Sequence, residues 1–114
     1  MRLLRNIFGR QAIQSPPQPP KCVHLVQIQK VTPSAQGCEE CLKMGDQWVH
    51  LRLCMICGHV GCCDNSKNKH ATRHFHETGH PVIKSFEPGE EWGFCHVDGI
   101  YYETLPFNVG SHHT

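Results

Sequence analysis

A chain of 114 residues with 39% hydrophobic content has room for one domain with appendages, and metal cross-links are expected to supply stability that its apolar burial cannot. Its formal charge of +1 gives no electrostatic reason to expect nucleic acid as a partner. No run approaches the roughly 20 apolar residues of a transmembrane helix, and the N-terminus lacks the apolar stretch and cleavage site of a secretory signal, so a cytoplasmic location is expected.

Residues 1–14 place Leu3, Leu4, Ile7 and Phe8 on one helical face, with Arg2 and Arg5 at its flank. This basic, acid-free arm could touch an anionic membrane surface or serve as a presequence; a frayed terminus is the favoured reading. Ser15 to Pro20, SPPQPP, is a semi-rigid spacer that closes an N-terminal segment of residues 1–20. The remaining chain holds eight basic and ten acidic side chains, so the expected domain, residues 21–105, is slightly acidic.

That domain opens on Cys22-Val23-His24, a Cys-x-His whose two side chains share one face if Leu25 to Val31 continues as a strand. A loop from Thr32 to Gly37 leads into the knuckle Cys38-Glu39-Glu40-Cys41. From Trp48 to Leu53 the pattern alternates, with Val49, Leu51 and Leu53 on one face and Trp48, His50 and Arg52 on the other. Cys54-Met55-Ile56-Cys57 is a second knuckle, and Gly58 permits its tight turn. Asp64, Asn65 and Ser66 are all good N-caps for a helix running from Lys67 to about Glu77, which Gly79 and Pro81 then stop. Pro81 to Phe86 reads as a strand, Glu87 to Glu91 as a turn, and Trp92 to Leu105 as a final hairpin. Residues 106–114 read as a mobile tail.

Eight cysteines could form disulfides in a secreted domain or metal sites in a reducing compartment. Ten histidines interleaved with them at ligand spacings favour metal. The stretch from Cys54 to His80 alone holds four cysteines and five histidines. Structural zinc takes four Cys or His ligands, and each knuckle donates two thiolates. Cys62, His70, His74 and His80 are the obvious partners; His70 and His74 sit one helical turn apart on the same face, while His76 points elsewhere. The His70, His74, His80 spacing also echoes the metzincin proteases, but Ala71 stands where their general-base glutamate belongs. Eight Cys and His ligands can close two sites and leave no open position for hydrolysis, so no enzyme is expected.

Cys38-x2-Cys41, Trp48, Cys54-x2-Cys57-x4-Cys62 and His70-x3-His74-x5-His80-Pro81 together resemble the ubiquitin-protease-type zinc finger, including its small bacterial stand-alone members. The resemblance implies a small α+β domain with a twisted, mostly antiparallel sheet of about five strands and one main helix. It implies one zinc on Cys38, Cys41, Cys62 and His70, and a second on Cys54, Cys57, His74 and His80. A third zinc, on Cys22, His24, Cys95 and Asp98, is the open alternative, because Asp98 stands where multi-zinc members have a second thiol. Cys63 competes with Cys62 for the lone-cysteine role: counting forward from Cys57 favours Cys62, counting back from His70 favours Cys63, and Cys62 is the residue assigned.

The family's ubiquitin readers carry Gly-Arg after that cysteine, and the arginine helps clamp the carboxylate of a C-terminal tail. Here Asp64 takes the arginine's place, and it repels such a ligand. Trp48, Phe94 (or, in its place, Trp92) and Tyr101 match family aromatics, and these four are the remaining candidates for a peptide groove. The function expected is a non-enzymatic interaction module for a protein or peptide partner, with an extended or glycine-rich C-terminus as the candidate ligand. The alternative is a zinc-stabilised structural or redox-responsive protein without a peptide pocket.

Overall fold

Cysteine sulfurs, rather than carboxylates or hydroxyls, accept from the first turns of both α-helices among the described residues. The structure is a computed structural model and describes residues 22–105, so the readings made for residues 1–20 and 106–114 lie outside it. In α1 (Glu39–Met44) the capping position is Cys38, whose Sγ accepts from the Cys41 N–H at 3.4 Å. Glu39 and Glu40 add negative charge at the positive end of the helix, and Gly45 closes it in the left-handed conformation. In α2 (His70–Thr78) the His70 N–H donates to Cys62 Sγ at 3.2 Å.

That thiol cap explains why α2 begins three residues later than Lys67. The expected caps are used elsewhere: Ser66 Oγ accepts from the Val49 N–H at 2.8 Å, and Asp64 Oδ1 accepts from the Thr72 hydroxyl at 2.6 Å. Lys69 instead enters the helix at φ 49°, with no side-chain cap. The C-terminal end follows expectation, at Gly79 with φ 78°.

Five strands form one antiparallel sheet: β1 (Leu51–Cys54), β2 (Val60–Cys62), β3 (Val82–Ser85), β4 (Gly93–Cys95) and β5 (Ile100–Tyr102). Their spatial order is β2-β1-β3-β4-β5. The α+β class, the five strands and the single main helix are as expected. One face carries Leu51, Leu53, Val60 and Val82 into a core shared with Leu25, Val31 and Tyr102. The other face receives α2, which lies against β1 and β2. No helix among the described residues is long and apolar enough to cross a membrane.

The strand expected from Leu25 to Val31 does not form. Val23–Gln27 is instead a short 3-10 helix, in which Leu25 is buried while Val23 and Val26 are 76% and 80% exposed. Its bonds are local, Leu25 N–H to Cys22 O and Ile28 N–H to Leu25 O, and Gln29 N–H to Met55 O ties it to the knuckle. The Tyr102 hydroxyl accepts from the Cys22 N–H at 2.8 Å and fastens this segment to β5.

Two glycines permit close approaches that position the knuckles and the helix. Gly58 has φ 89°, and a Cβ there would lie 2.2 Å from Thr32 O. At Gly61 a Cβ would lie 2.7 Å from the Ala71 backbone nitrogen, so the absent side chain lets α2 sit directly on β2. Gly61→Ala is expected to lift the start of α2 and destabilise the domain by about 1–3 kcal/mol. Thermal unfolding of the zinc-loaded protein checks this; an unchanged midpoint would mean that the helix shifts without cost.

Candidate metal centres and an aromatic pocket

Helix α2 distributes its histidines between two quartets of ligand atoms. His70, its first residue, joins Cys38, Cys41 and Cys62, and all four side chains are buried. Here His70 Nδ1 lies 3.2 Å from Cys38 Sγ, 3.4 Å from Cys41 Sγ and 3.6 Å from Cys62 Sγ, and Cys41 Sγ lies 3.9 Å from Cys62 Sγ. His74, one turn on, joins Cys54, Cys57 and His80, with Cys57 Sγ 3.3 Å from His74 Nε2 and Cys54 Sγ 3.5 Å from His80 Nδ1. Within each quartet all ligand atoms lie within 4.8 Å of one another.

These spacings suit zinc. A tetrahedron with Zn–S near 2.3 Å and Zn–N near 2.0–2.1 Å has edges of about 3.8 Å between sulfurs and about 3.5 Å between sulfur and nitrogen. A third quartet gathers Cys22, His24, Cys95 and Asp98, with His24 Nδ1 3.0 Å from Asp98 Oδ2 and 3.6 Å from Cys95 Sγ. The 3-10 helix, not a strand face, brings Cys22 and His24 together there. All eight cysteines are free thiols.

Burial pushes the Cys38 thiol up to about 12 and the Cys54 thiol up to about 11, and it raises Cys95 as well. These sulfurs are protonated near neutrality unless a cation compensates the buried thiolate. His74 moves the other way, to about 4, through burial and the neighbouring His59 and His80; this favours the neutral imidazole that a metal needs. Zinc uptake by the metal-free protein is therefore expected to expel thiol protons, so apparent affinity falls as pH is lowered. Proton release measured with an indicator dye during zinc titration checks this, and titration without acidification would contradict it.

Sequence reasoning missed His59. Its ring stacks on His74 at 4.0 Å between centroids with 5° between planes, and its Nε2 lies 2.8 Å from the Glu40 carboxylate. It stacks flat on a quartet histidine, and Glu40 holds its ring in that position. Being a histidine in neither knuckle nor helix spacing, it gave no signal. His76 is exposed, as expected.

The adjacent cysteines separate. Cys62 faces the buried quartet, whereas Cys63 Sγ lies 3.6 Å from Ser66 Oγ and lines a cavity of about 270 Å³. That cavity lies between the start of α2 and the sheet, and its walls include Arg52, Asp64, Thr72, Trp92, Phe94 and His96. Tyr101 packs against Trp92 with ring centroids 5.7 Å apart. Of the aromatic candidates, Trp92 and Phe94 thus meet Asp64 in one pocket, with Tyr101 at its edge. Trp48 does not join them. It borders a different depression with Leu51, Leu53 and Lys84, and a Cβ at Gly37 would lie 2.6 Å from its ring. The regular strand begins only at Leu51, so the alternation that would have set Trp48 beside Arg52 is not maintained that far back. Arg52 is the basic residue of the cavity wall, and sequence reasoning left it, like Thr72 and His96, unassigned.

Fold and ligand clusters together define a zinc-finger module that binds zinc. The chain matches the family described as "Zn-finger in ubiquitin-hydrolases and other protein" over residues 38–105, and it belongs to that family. Its fold resembles the solution NMR structure of protein RPA1320 from Rhodopseudomonas palustris, with 55% identity and a TM-score of 0.75 over 85% of this chain and 94% of that one. The NAD-dependent deacetylase sir2A of Dictyostelium discoideum is 33% identical over 69 residues, 60% of this chain. Ubiquitin carboxyl-terminal hydrolase 44 of Ailuropoda melanoleuca is 30% identical over 87 residues, 71% of this chain. The chain spans only 12% and 11% of the length of these two curated relatives.

Proposed function

We propose that the domain is a non-enzymatic protein-interaction module, built on zinc, whose aromatic pocket receives the extended C-terminal end of a peptide. The observation that carries this reading is the cavity itself: Trp92 and Phe94 supply apolar walls and Asp64, Thr72 and Arg52 supply polar ones. Such a mix of apolar surface with a few placed polar groups is the usual make-up of a ligand site. Zinc fills the two quartets on Cys38, Cys41, Cys62, His70 and on Cys54, Cys57, His74, His80, and a third ion fits Cys22, His24, Cys95 and Asp98. Closed quartets leave no position for a hydrolytic water, and the hydrolase and deacetylase activities in the relatives' names are assigned to those longer proteins. A reducing, cytoplasmic setting matches the need for free thiols.

Ordinary ubiquitin-tail binding is disfavoured by Asp64. The test is a fluorescence titration of the zinc-loaded chain with short peptides ending in a free diglycine. Quenching of Trp92, lost in Trp92→Phe, is the expected result; no response across a panel of tails would remove the reading.

A second reading, a thiol-responsive protein without a peptide pocket, draws on Cys63. Burial pushes this thiol up, but hydrogen bonding from Ser66 and backbone N–H groups, with the charge of Arg52, turns the net direction downward. One fast-reacting thiol at Cys63 in the zinc-loaded protein, together with silence in the peptide titration, would favour it.

A further inference from the structure

We propose that Arg52 supplies the anion-binding group of the pocket, so that the site takes a free C-terminal carboxylate even though position 64 is acidic. The inference rests on the peptide-pocket reading and names the residue that would confer its specificity. Arg52 pairs with Gly61 on β2 and with Ser85 on β3, so its side chain rises on the face that receives α2. Gly61 has no side chain to compete for that space. Arg52 thus reaches the cavity from the sheet, on a different element from the loop that carries Asp64.

The guanidinium, whose charge the nearby Glu90 carboxylate feels, is held in place without a direct ion pair. Its Cζ lies 4.5 Å from the centroid of the Trp92 ring, and Nη1 donates to Leu51 O at 2.9 Å. A guanidinium has five N–H donors in a planar fork, so an arginine lying on an aromatic face can still present donors to a carboxylate. Among the described residues no carboxylate forms an ion pair with it. The two acids nearby have other partners. Asp64 Oδ1 accepts from the Thr72 hydroxyl at 2.6 Å. Glu90 Oε1 accepts from the Ser85 hydroxyl at 2.6 Å and from the Trp92 indole N–H at 3.2 Å.

The cavity is therefore dipolar, with a cation on the sheet wall and an anion on the loop wall. A peptide end is dipolar in the same sense: its carboxylate needs donors, and the amide N–H groups just before it need acceptors. At about 270 Å³ the cavity has room for a chain end with small residues and little more. Asp64, standing where the resemblance places an arginine, is then an acceptor for peptide N–H groups, and the clamp has moved to β1.

The experiment uses the zinc-loaded full chain and two probes, acetyl-Ala-Gly-Gly with a free carboxylate and the same peptide as its carboxamide. Calorimetric titration is expected to show the acid bound about tenfold or more tightly than the amide, as a hydrogen-bonded charge pair implies. Arg52→Gln should erase that preference while zinc content is unchanged, and Asp64→Asn should preserve it. A preference that survives in Arg52→Gln, or equal binding of acid and amide by the wild type, overturns the role of Arg52 and leaves the pocket standing. Binding of neither probe by the wild type takes down the pocket reading and the inference together. A measurement on the wild type alone guards against a misfolded variant: phenylglyoxal modification at Arg52, read by mass spectrometry, should be slowed by the acid and not by the amide. Equal modification in both would overturn the proposal.

Discussion

Stripping zinc with a strong chelator is expected to abolish the folded state, and restoring zinc to recover it. Apparent zinc binding energies of about 10–16 kcal/mol per structural site rival or exceed the roughly 5–15 kcal/mol that stabilises a typical domain. The core shows why little would remain. Cys22, Cys38, Cys41, Cys62 and Cys95 are themselves members of the buried cluster, alongside a modest set of aliphatic side chains. Without a cation these positions hold buried thiols that pack less well and join nothing. Nor can local structure persist alone: α1 has six residues and α2 nine, below the length at which isolated helices hold in water. The measurement is the dispersion of amide resonances before and after chelation. Native dispersion in metal-free protein would mean that the apolar core suffices and that the metals are accessory.

Replacing either of two neighbouring cysteines should give opposite results. Cys62→Ser is expected to release a zinc ion and to destabilise the domain by several kcal/mol, on the order of a lost metal ligand. Cys62 Sγ sits in the buried quartet and also caps the first N–H of α2, so both the site and the helix start depend on it. Serine places a shorter, far less acidic group there. Cys63→Ser should keep full zinc content and shift stability by about 1 kcal/mol or less, because its thiol lies outside the quartets, against Ser66 and the cavity, where a hydroxyl can take the same hydrogen bonds. Native mass spectrometry and thermal melts of the two variants decide it. Metal loss in Cys63→Ser with retention in Cys62→Ser would exchange the two roles.

Metal-ligand chemistry was the part of this fold most legible in the sequence. Two thiols three residues apart on a turn, or two histidines four apart on a helix, are near one another wherever the chain goes, so spacing alone announces them. The strand pattern from Val82 onward was readable for a similar reason: alternation and turn residues are local. What depended on long-range competition was not. Leu25 to Val31 has β-branched residues, yet no neighbouring strand offers it a ladder; its first three residues join the 3-10 helix Val23–Gln27 and the rest is irregular. Ser66 is a sound N-cap by type, but its hydroxyl serves Val49, seventeen residues earlier. β2 is three residues with a central glycine, too short and too plain to announce itself, although Gly61 is what admits the helix. Arg52 escaped notice because its meaning lies in Trp92, forty residues away and two strands across the sheet.

The two quartets that α2 joins differ in how far they open to solvent. The one built on Cys38 is sealed on all four sides, while the other carries an exposed Cys57 and two half-buried histidines. Under the proposed ligand assignment this inequality is one of exchange kinetics. A competing chelator or a second metal can approach the outer ion through Cys57 by associative ligand exchange, whereas the inner ion can leave only when the fold opens. One ion then equilibrates with the surrounding metal pool, and the other has the lifetime of the folded molecule.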